Sequence, residues 1–266
     1  MIDVHHHLLY GLDDGPDSIA ESVEMARIAL DDGITHVVCT PHASHRYTFQ
    51  PEENQVRLAM IRKELDRIGN GLILGQGCDF HLSWDNIQDA KAHPDKYSIN
   101  GKRYLLVELP DHFMTRGMSD TLIDLQGVGL VPIVTHPERN KTIQRSPDRM
   151  KSWIANGALV QVTAAAVVGK FGSAARTLAH SFLADDWVHL IATDAHSTSG
   201  RPPRMREAFD LICKMYGEEK AHRLCVANPQ AIFYGNPLGK QPDPVGVDED
   251  EQEPPKSSWL HRFFSR

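Results

Sequence analysis

The chain opens with Met1-Ile-Asp-Val-His-His-His7, an apolar run that passes directly into three histidines. Side chains alternate across a strand, so His5 and His7 point one way and His6 the other. An H-x-H pair on one face can chelate one metal ion; a pair of solvated histidines is the alternative. The rest of the chain repeats the arrangement. Short β-branched or leucine-rich runs recur at His36–Cys39, Leu72–Leu74, Leu105–Leu109, Val131–Val134, Leu159–Val162 and Val188–Ala192. Such runs suit strands buried on both faces. Amphipathic helices fill the intervals. In the first, Ser18 and Glu21 make a capping box, Ile19, Val23, Ala26 and Leu30 recur at helical spacing, and Gly33 stops it. Seven strands with intervening helices predict a parallel α/β sheet or a closed barrel.

Chemistry-bearing residues sit where these strands end. The second ends in Cys39-Thr-Pro-His42, the third runs to Gly75-Gln-Gly-Cys-Asp79, and the fourth ends at Val107-Glu108. The fifth ends in Thr135-His136-Pro-Glu-Arg139 and the seventh in Ala192-Thr-Asp194-Ala-His196. An acid directly after an apolar strand is costly to bury unless something compensates it. One case can be a helix cap or a salt bridge. Five of the seven strands deliver His, Asp or Glu at the same end, the end where α/β barrels build active sites. Candidate metal ligands are therefore His5, His7, Asp14, His42, Asp79, Glu108, His136, Asp194 and His196. Imidazole and carboxylate without a thiolate set favours Mn, Fe or Zn, and the number of donors suits two or three ions. Clustered ions suit in-line attack on phosphorus by a metal-activated hydroxide. Arg139 lies three residues past His136, and Arg201 lies in Gly200-Arg-Pro-Pro, five past His196. A guanidinium binds phosphate fork-to-fork, so both are candidate phosphate holders; an ordinary surface salt bridge is the alternative.

Composition agrees with a globular metalloenzyme. Fifteen histidines exceed the six tyrosines and four tryptophans together. A net charge of -7 argues against nucleic acid as the main partner. No apolar run approaches the ~20 residues of a membrane helix, and the N-terminus lacks the pattern of a secretory signal, so a cytoplasmic protein is expected. Cys39, Cys78, Cys213 and Cys225 form no CxxC and none begins a Cys-x5-Arg phosphatase loop. Phosphate-binding G-x-x-x-x-G-K-[ST], esterase G-x-S-x-G and protease H-E-x-x-H motifs are all absent. The catalytic domain is expected to span residues 1–238. From Gly239 to Arg266, Pro242, Pro244, Pro254, Pro255 and the acids Asp248–Glu251 predict a disordered tail. Its end, with Trp259, Leu260, Phe263 and Phe264 beside Arg262 and Arg266, reads either as a docking segment for a partner or membrane surface, or as a functionless terminus.

These motifs resemble the PHP superfamily. Ile2-Asp-Val-His-His-His7, Asp13-Asp-Gly-Pro16, Thr40-Pro-His42, His136-Pro-Glu-Arg139, Asp194-Ala-His196 and Gly200-Arg-Pro-Pro203 together are similar to the CpsB/YwqE-type manganese-dependent protein-tyrosine phosphatases of bacteria. The resemblance covers residues 1 to about 238. It implies a distorted (β/α)7 barrel with manganese ions at the C-terminal strand ends. It also implies hydrolysis of phosphotyrosine on a bacterial tyrosine kinase that controls capsule or exopolysaccharide export. By position, His5, His7, His42, Glu108, His136, Asp194 and His196 would hold metal. Asp79 stands where the family usually has Glu, and Asp14 matches an acid that binds the third metal or assists the leaving group. His6 replaces a more usual Ser and, facing outward, is expected to be neutral to function. Two alternatives stay open: a PHP phosphoesterase acting on a small phosphomonoester such as histidinol phosphate, and an inactive metal-binding regulator. Oligomerisation is compatible with the sequence and not specified by it.

Overall fold

A computed structural model of the chain describes residues 1–110 and 117–247. Its strands are β1 (Ile2–His6), β2 (His36–Cys39), β3 (His42–Ala43), β4 (Ile73–Gln76), β5 (Asp79–His81), β6 (Tyr104–Glu108), β7 (Val131–Thr135), β8 (Leu159–Thr163) and β9 (Leu190–Ala192). Every strand pair is parallel. They form two sheets, in the orders β1-β2-β4 and β3-β5-β6-β7-β8-β9.

The two sheets are continuous in register. β2 pairs with β4 from His36↔Ile73 to Cys39↔Gln76, and β3 pairs with β5 at the same offset, His42↔Asp79. Hydrogen bonds from Gly77 N to Cys39 O (2.9 Å) and from Asp79 N to Pro41 O (3.1 Å) carry the ladder across the break. Thus β2 with β3, and β4 with β5, each act as one bent strand. Pro41 has no N–H to give the ladder, which explains one bend. At the other, a Cβ on Gly77 would lie 3.1 Å from Val38 Cγ1, so the strands approach too closely for a side chain. The last strand returns to the first. His7 N donates to Ala195 O and Asp194 N to His5 O, both at 2.9 Å, and His6 bridges Ala195 in parallel. The distorted seven-unit barrel read from the sequence is this ring, with two of its members bent.

Alternate residues of the strands fall into two apolar clusters. Val4, Val38, Leu106, Ile133 and Leu190 meet Ile232 and Phe233 of the helix Asn228–Tyr234. Val37, Leu105, Val107, Val134, Val160 and Ile191 pack outward with helical residues such as Ile61, Phe182 and Ile212. Helix α1 (Ile19–Asp31) starts as predicted, with Ser18 Oγ accepting from Glu21 N at 3.3 Å, and Gly33 follows it at φ +89°.

Two expectations change. The pairing of β1 slips by one residue between Asp3 and His6, and His6 then pairs with Cys39, a residue of the outer cluster. The slip sets His6 on the outer side with Cys39, opposite His5 and His7, but it is wholly buried. The outside of this barrel is a helical layer rather than solvent. The chain just past Gly239 also makes contacts that its composition did not suggest. Val245 N donates to Asp185 O (2.8 Å), Trp187 Nε1 donates to Val245 O (2.9 Å), and Gln241 exchanges bonds with Asn228. Residues 239–247 therefore pack on the domain; their prolines suggested a linker, but these contacts anchor them. The remainder of the expected tail, including its aromatic end, lies outside the described residues. Among the described residues no helix is long and apolar enough to cross a membrane.

Candidate metal centre

All nine side chains proposed as ligands converge at the C-terminal rim of the ring. His5 and His7 leave the end of β1, His42 begins β3, Asp79 begins β5 and Glu108 ends β6. His136 follows β7, and Asp194 and His196 follow β9. Asp14 arrives from the loop after β1. The histidine Nε2 atoms of His5 and His7 each lie 3.4 Å from Asp194 Oδ1, and His5 Nε2 lies 3.4 Å from Asp79 Oδ2. His42 Nδ1 is 3.3 Å from Asp79 Oδ2 and 3.5 Å from Glu108 Oε2. Asp14 Oδ1 is 3.3 Å from His42 Nε2 and 3.4 Å from His196 Nε2. His136 Nε2 lies 3.8 Å from Glu108 Oε1.

Donor atoms gather into overlapping sets, each within 4.8 Å: His7, Asp14, His42 and His196; His5, Asp79 and His136; His5, His7 and Asp194; His42, Asp79 and Glu108. Asp79 belongs to two of these sets, so the shorter carboxylate still reaches between them. His5 Nε2, His7 Nε2 and both Asp79 oxygens are buried without a hydrogen-bond partner. Leaving such atoms unpaired is costly, and a cation among them would supply the missing partner. The donor set therefore fits a metal cluster.

Electrostatics point the same way. Burial would depress His5, but Asp79 and Asp194 outweigh it and lift its pKa to about 9. His42 is likewise penalised by burial, yet Asp14 and Asp79 raise it to about 11. Asp79 and Asp194 stay well below the usual carboxylate range because His5 and its neighbours overcome their burial. Glu108 rises to about 7 through burial and the nearby Asp79 charge. Hydrogen bonds from His196 and His42 hold Asp14 far below its ordinary value, so it is a carboxylate rather than a standing acid. That suits the ligand role of the two expected for it.

Partners behind the candidate ligands fix their orientation. His7 Nδ1 meets Asp13 Oδ2 at 2.7 Å, His5 Nδ1 meets Gln161 Oε1 at 3.0 Å, and His196 Nδ1 meets Asp194 O at 2.9 Å. Each contact occupies Nδ1 and turns Nε2 toward the cluster. Two of the candidate ligands stand on strained backbone: His136 has φ 35° and Asp194 φ 52°, both left-handed. Asp3 braces the second turn. Its Oδ1 accepts from Thr193 N at 3.0 Å and its Oδ2 accepts from the Thr193 hydroxyl. Burial pushes the Asp3 carboxyl up to about 6. Sequence reasoning missed Asp3, Asp13 and Gln161. Only Asp13 carried a signal, as neighbour of Asp14 in the Asp-Asp-Gly-Pro turn. Arg139 and Arg201 both donate to Asp194 Oδ2, so the two cations converge on the rim of the centre.

A family model described as capsular polysaccharide synthesis, CpsB/CapC, matches residues 1–234. The chain belongs to the CpsB/CapC family. It is 35% identical to CapC of Staphylococcus aureus, over 91% of this chain and 94% of that one. It is 29% identical to the tyrosine-protein phosphatase YwqE of Bacillus subtilis, over 91% of this chain and 95% of that one. A crystal structure from work on YwqE of Bacillus subtilis and CpsB of Streptococcus pneumoniae, described as metal-dependent tyrosine phosphatases, matches with a TM-score of 0.85 and 28% identity, covering 92% of this chain and 99% of that one. Beyond the CpsB/CapC family, a lactonase from Listeria monocytogenes shares the fold at TM-score 0.58 and 14% identity, covering 90% of this chain and 95% of that one.

Proposed function

We infer that the chain is a metal-dependent protein-tyrosine phosphatase. The observation that carries the inference is the pairing of Arg139 and Arg201 on Asp194, within a buried cluster of imidazoles and carboxylates, in a chain of the CpsB/CapC family. His5, His7, His42, His136, His196, Asp14, Asp79, Glu108 and Asp194 are the residues we assign to hold two or three ions, with manganese as the preferred metal given the donor types. Bound metal would activate water and offset charge on the phosphoryl group.

The chain's own groups do the rest. Arg139 and Arg201 present two guanidinium forks at one side of the cluster, where a phosphoryl dianion can replace the Asp194 oxygen as their acceptor. Asp13, Gln161 and Asp3 hold ligands and turns in place before substrate arrives, so little reorganisation accompanies reaction. The leaving phenol has a pKa near ~10, so departure as phenolate needs only modest proton assistance. The substrate we assign is a phosphotyrosine-bearing protein, a bacterial tyrosine kinase controlling capsule or exopolysaccharide synthesis, met in the cytoplasm.

Chelator-stripped protein is the test, given back Mn, Zn, Mg or no metal and offered a phosphotyrosyl peptide or histidinol phosphate. Restored turnover of the peptide, manganese first, is the expected result. Turnover of histidinol phosphate alone would overturn the assignment in favour of a small-molecule phosphoesterase. Metal uptake without turnover of either substrate would favour the inactive regulator.

A further inference from the structure

We propose that Phe171 and the cleft behind it form an aryl-binding subsite that holds the tyrosyl ring while Arg139 and Arg201 hold the phosphoryl group. The proposal rests on the phosphatase reading and deepens it.

Phe171 immediately precedes the helix Gly172–Ala184 and is half-buried. The Arg139 guanidinium carbon lies 4.6 Å from its ring centroid and that of Arg201 lies 5.9 Å away. Two arginines that follow different strands, β7 and β9, thus share one aromatic surface. A stacked guanidinium loses orientational freedom while its N–H fork stays available, so the ring positions the pair.

A narrow cleft continues from this ring. Its walls include Ala164, Ala165, Val168, Phe171, Arg201 and Pro202. Arg201 and Phe171 therefore belong both to the cleft and to the arginine pair, so a group bonded to a phosphate held there is directed into the cleft. The small side chains of Ala164 and Ala165 leave room for a flat ring, and the Phe171 ring offers it an aromatic partner. Lys170 and Arg204 also border the cleft, with Lys170 paired to Glu207 at 3.1 Å. Glu207 lines the cleft too and Arg204 pairs with Asp32 at 3.6 Å, so these charges are balanced and the apolar walls are what suit a neutral phenyl ring. The same geometry would favour an aryl phosphate over an aminoalkyl phosphate such as histidinol phosphate.

The test uses the full chain with manganese. Competitive inhibition of phosphotyrosyl-peptide hydrolysis is measured for phenylphosphonate, methylphosphonate and inorganic phosphate. Wild type should prefer phenylphosphonate over methylphosphonate. Phe171→Ala, and independently Ala165→Leu, which narrows the cleft from another wall, should each lose about two- to tenfold of that preference, while Phe171→Tyr keeps it. An unchanged phenyl-to-methyl ratio in both variants would overturn the proposal. So would an equal weakening of all three inhibitors in Phe171→Ala with Ala165→Leu unaffected, which would leave the ring as a support for the guanidiniums alone. If wild type hydrolyses no phosphotyrosyl peptide, the phosphatase reading fails instead. Calorimetric binding of the two phosphonates then still reports on the cleft by the same ratio.

Discussion

Replacing Asp13 by Asn isolates the contribution of a residue outside the candidate donor sets. The Asp13 side chain is 1% exposed and uses both oxygens. Oδ2 accepts from His7 Nδ1 at 2.7 Å and from His42 N at 3.0 Å, while Oδ1 accepts from Gly15 N at 3.0 Å. Burial would raise its pKa, but the His7 contact prevails and keeps it ionised. Asn preserves the shape and only one acceptor oxygen. With that oxygen serving His7 and His42, the new NH2 faces the Gly15 N–H, donor against donor. A buried donor left unpaired costs about 1–3 kcal/mol. In a domain of this size that lowers the melting temperature of metal-free protein by roughly 2–10 °C. Loss of a carboxylate behind a ligand histidine typically weakens metal binding by about 10–100-fold. Calorimetric titration of Mn into chelator-stripped wild type and Asp13→Asn reads the affinity directly, and turnover at saturating Mn separates binding from chemistry. An affinity within twofold of wild type, in a folded variant, would refute the idea that Asp13 orients His7 as a ligand.

Further outcomes follow from the same geometry. In metal-free protein His5 (about 9) and His42 (about 11) lie above the ~6.5 of an unfolded histidine. Their stabilisation is therefore complete below about pH 6.5 and is lost as pH rises through the folded values. Metal needs the neutral rings, so Mn uptake at pH 7 should release protons and tighten with rising pH; calorimetry in buffers of different ionisation enthalpy measures this, and no proton release would exclude both as ligands. Arg201→Lys keeps the charge but loses the fork, so KM for a phosphotyrosyl peptide should rise with inorganic phosphate inhibiting less well; unchanged values would remove Arg201 from the phosphate site. His136→Ala should abolish turnover while circular dichroism shows a folded chain, and near-native activity with metal present would mean the site is misassigned.

Much of the centre was legible because a parallel ring turns chain order into spatial order. Each strand end lands on one rim, so acids and histidines placed there by sequence alone meet in space. Alternation also assigned His5, His7 and His6 to the correct faces. It could not say that the face of His6 is covered, because what lies beyond a strand depends on helices packed from elsewhere in the chain. The supporting residues were illegible for a related reason. Asp3 and Gln161 sit within strands as ordinary polar residues, and their meaning appears only when Thr193 and His5 are brought beside them. Gln241 and Val245 were hidden by composition, since prolines and acids suggested a linker where specific hydrogen bonds hold the chain. Phe171 is one aromatic among many until two arginines stack on it.

Closure of the ring by Ala195 against β1 carries a consequence for biosynthesis. The first strand leaves the ribosome early, but its second edge finds a partner only when residues near 195 emerge. At ~5–20 residues per second that interval is about 10 to 40 s. Throughout it β1 presents an open edge, a template for pairing with other chains, and its histidines lack Asp194 and His196. Nascent chains arrested before the last strand should accordingly need chaperone protection and hold metal poorly.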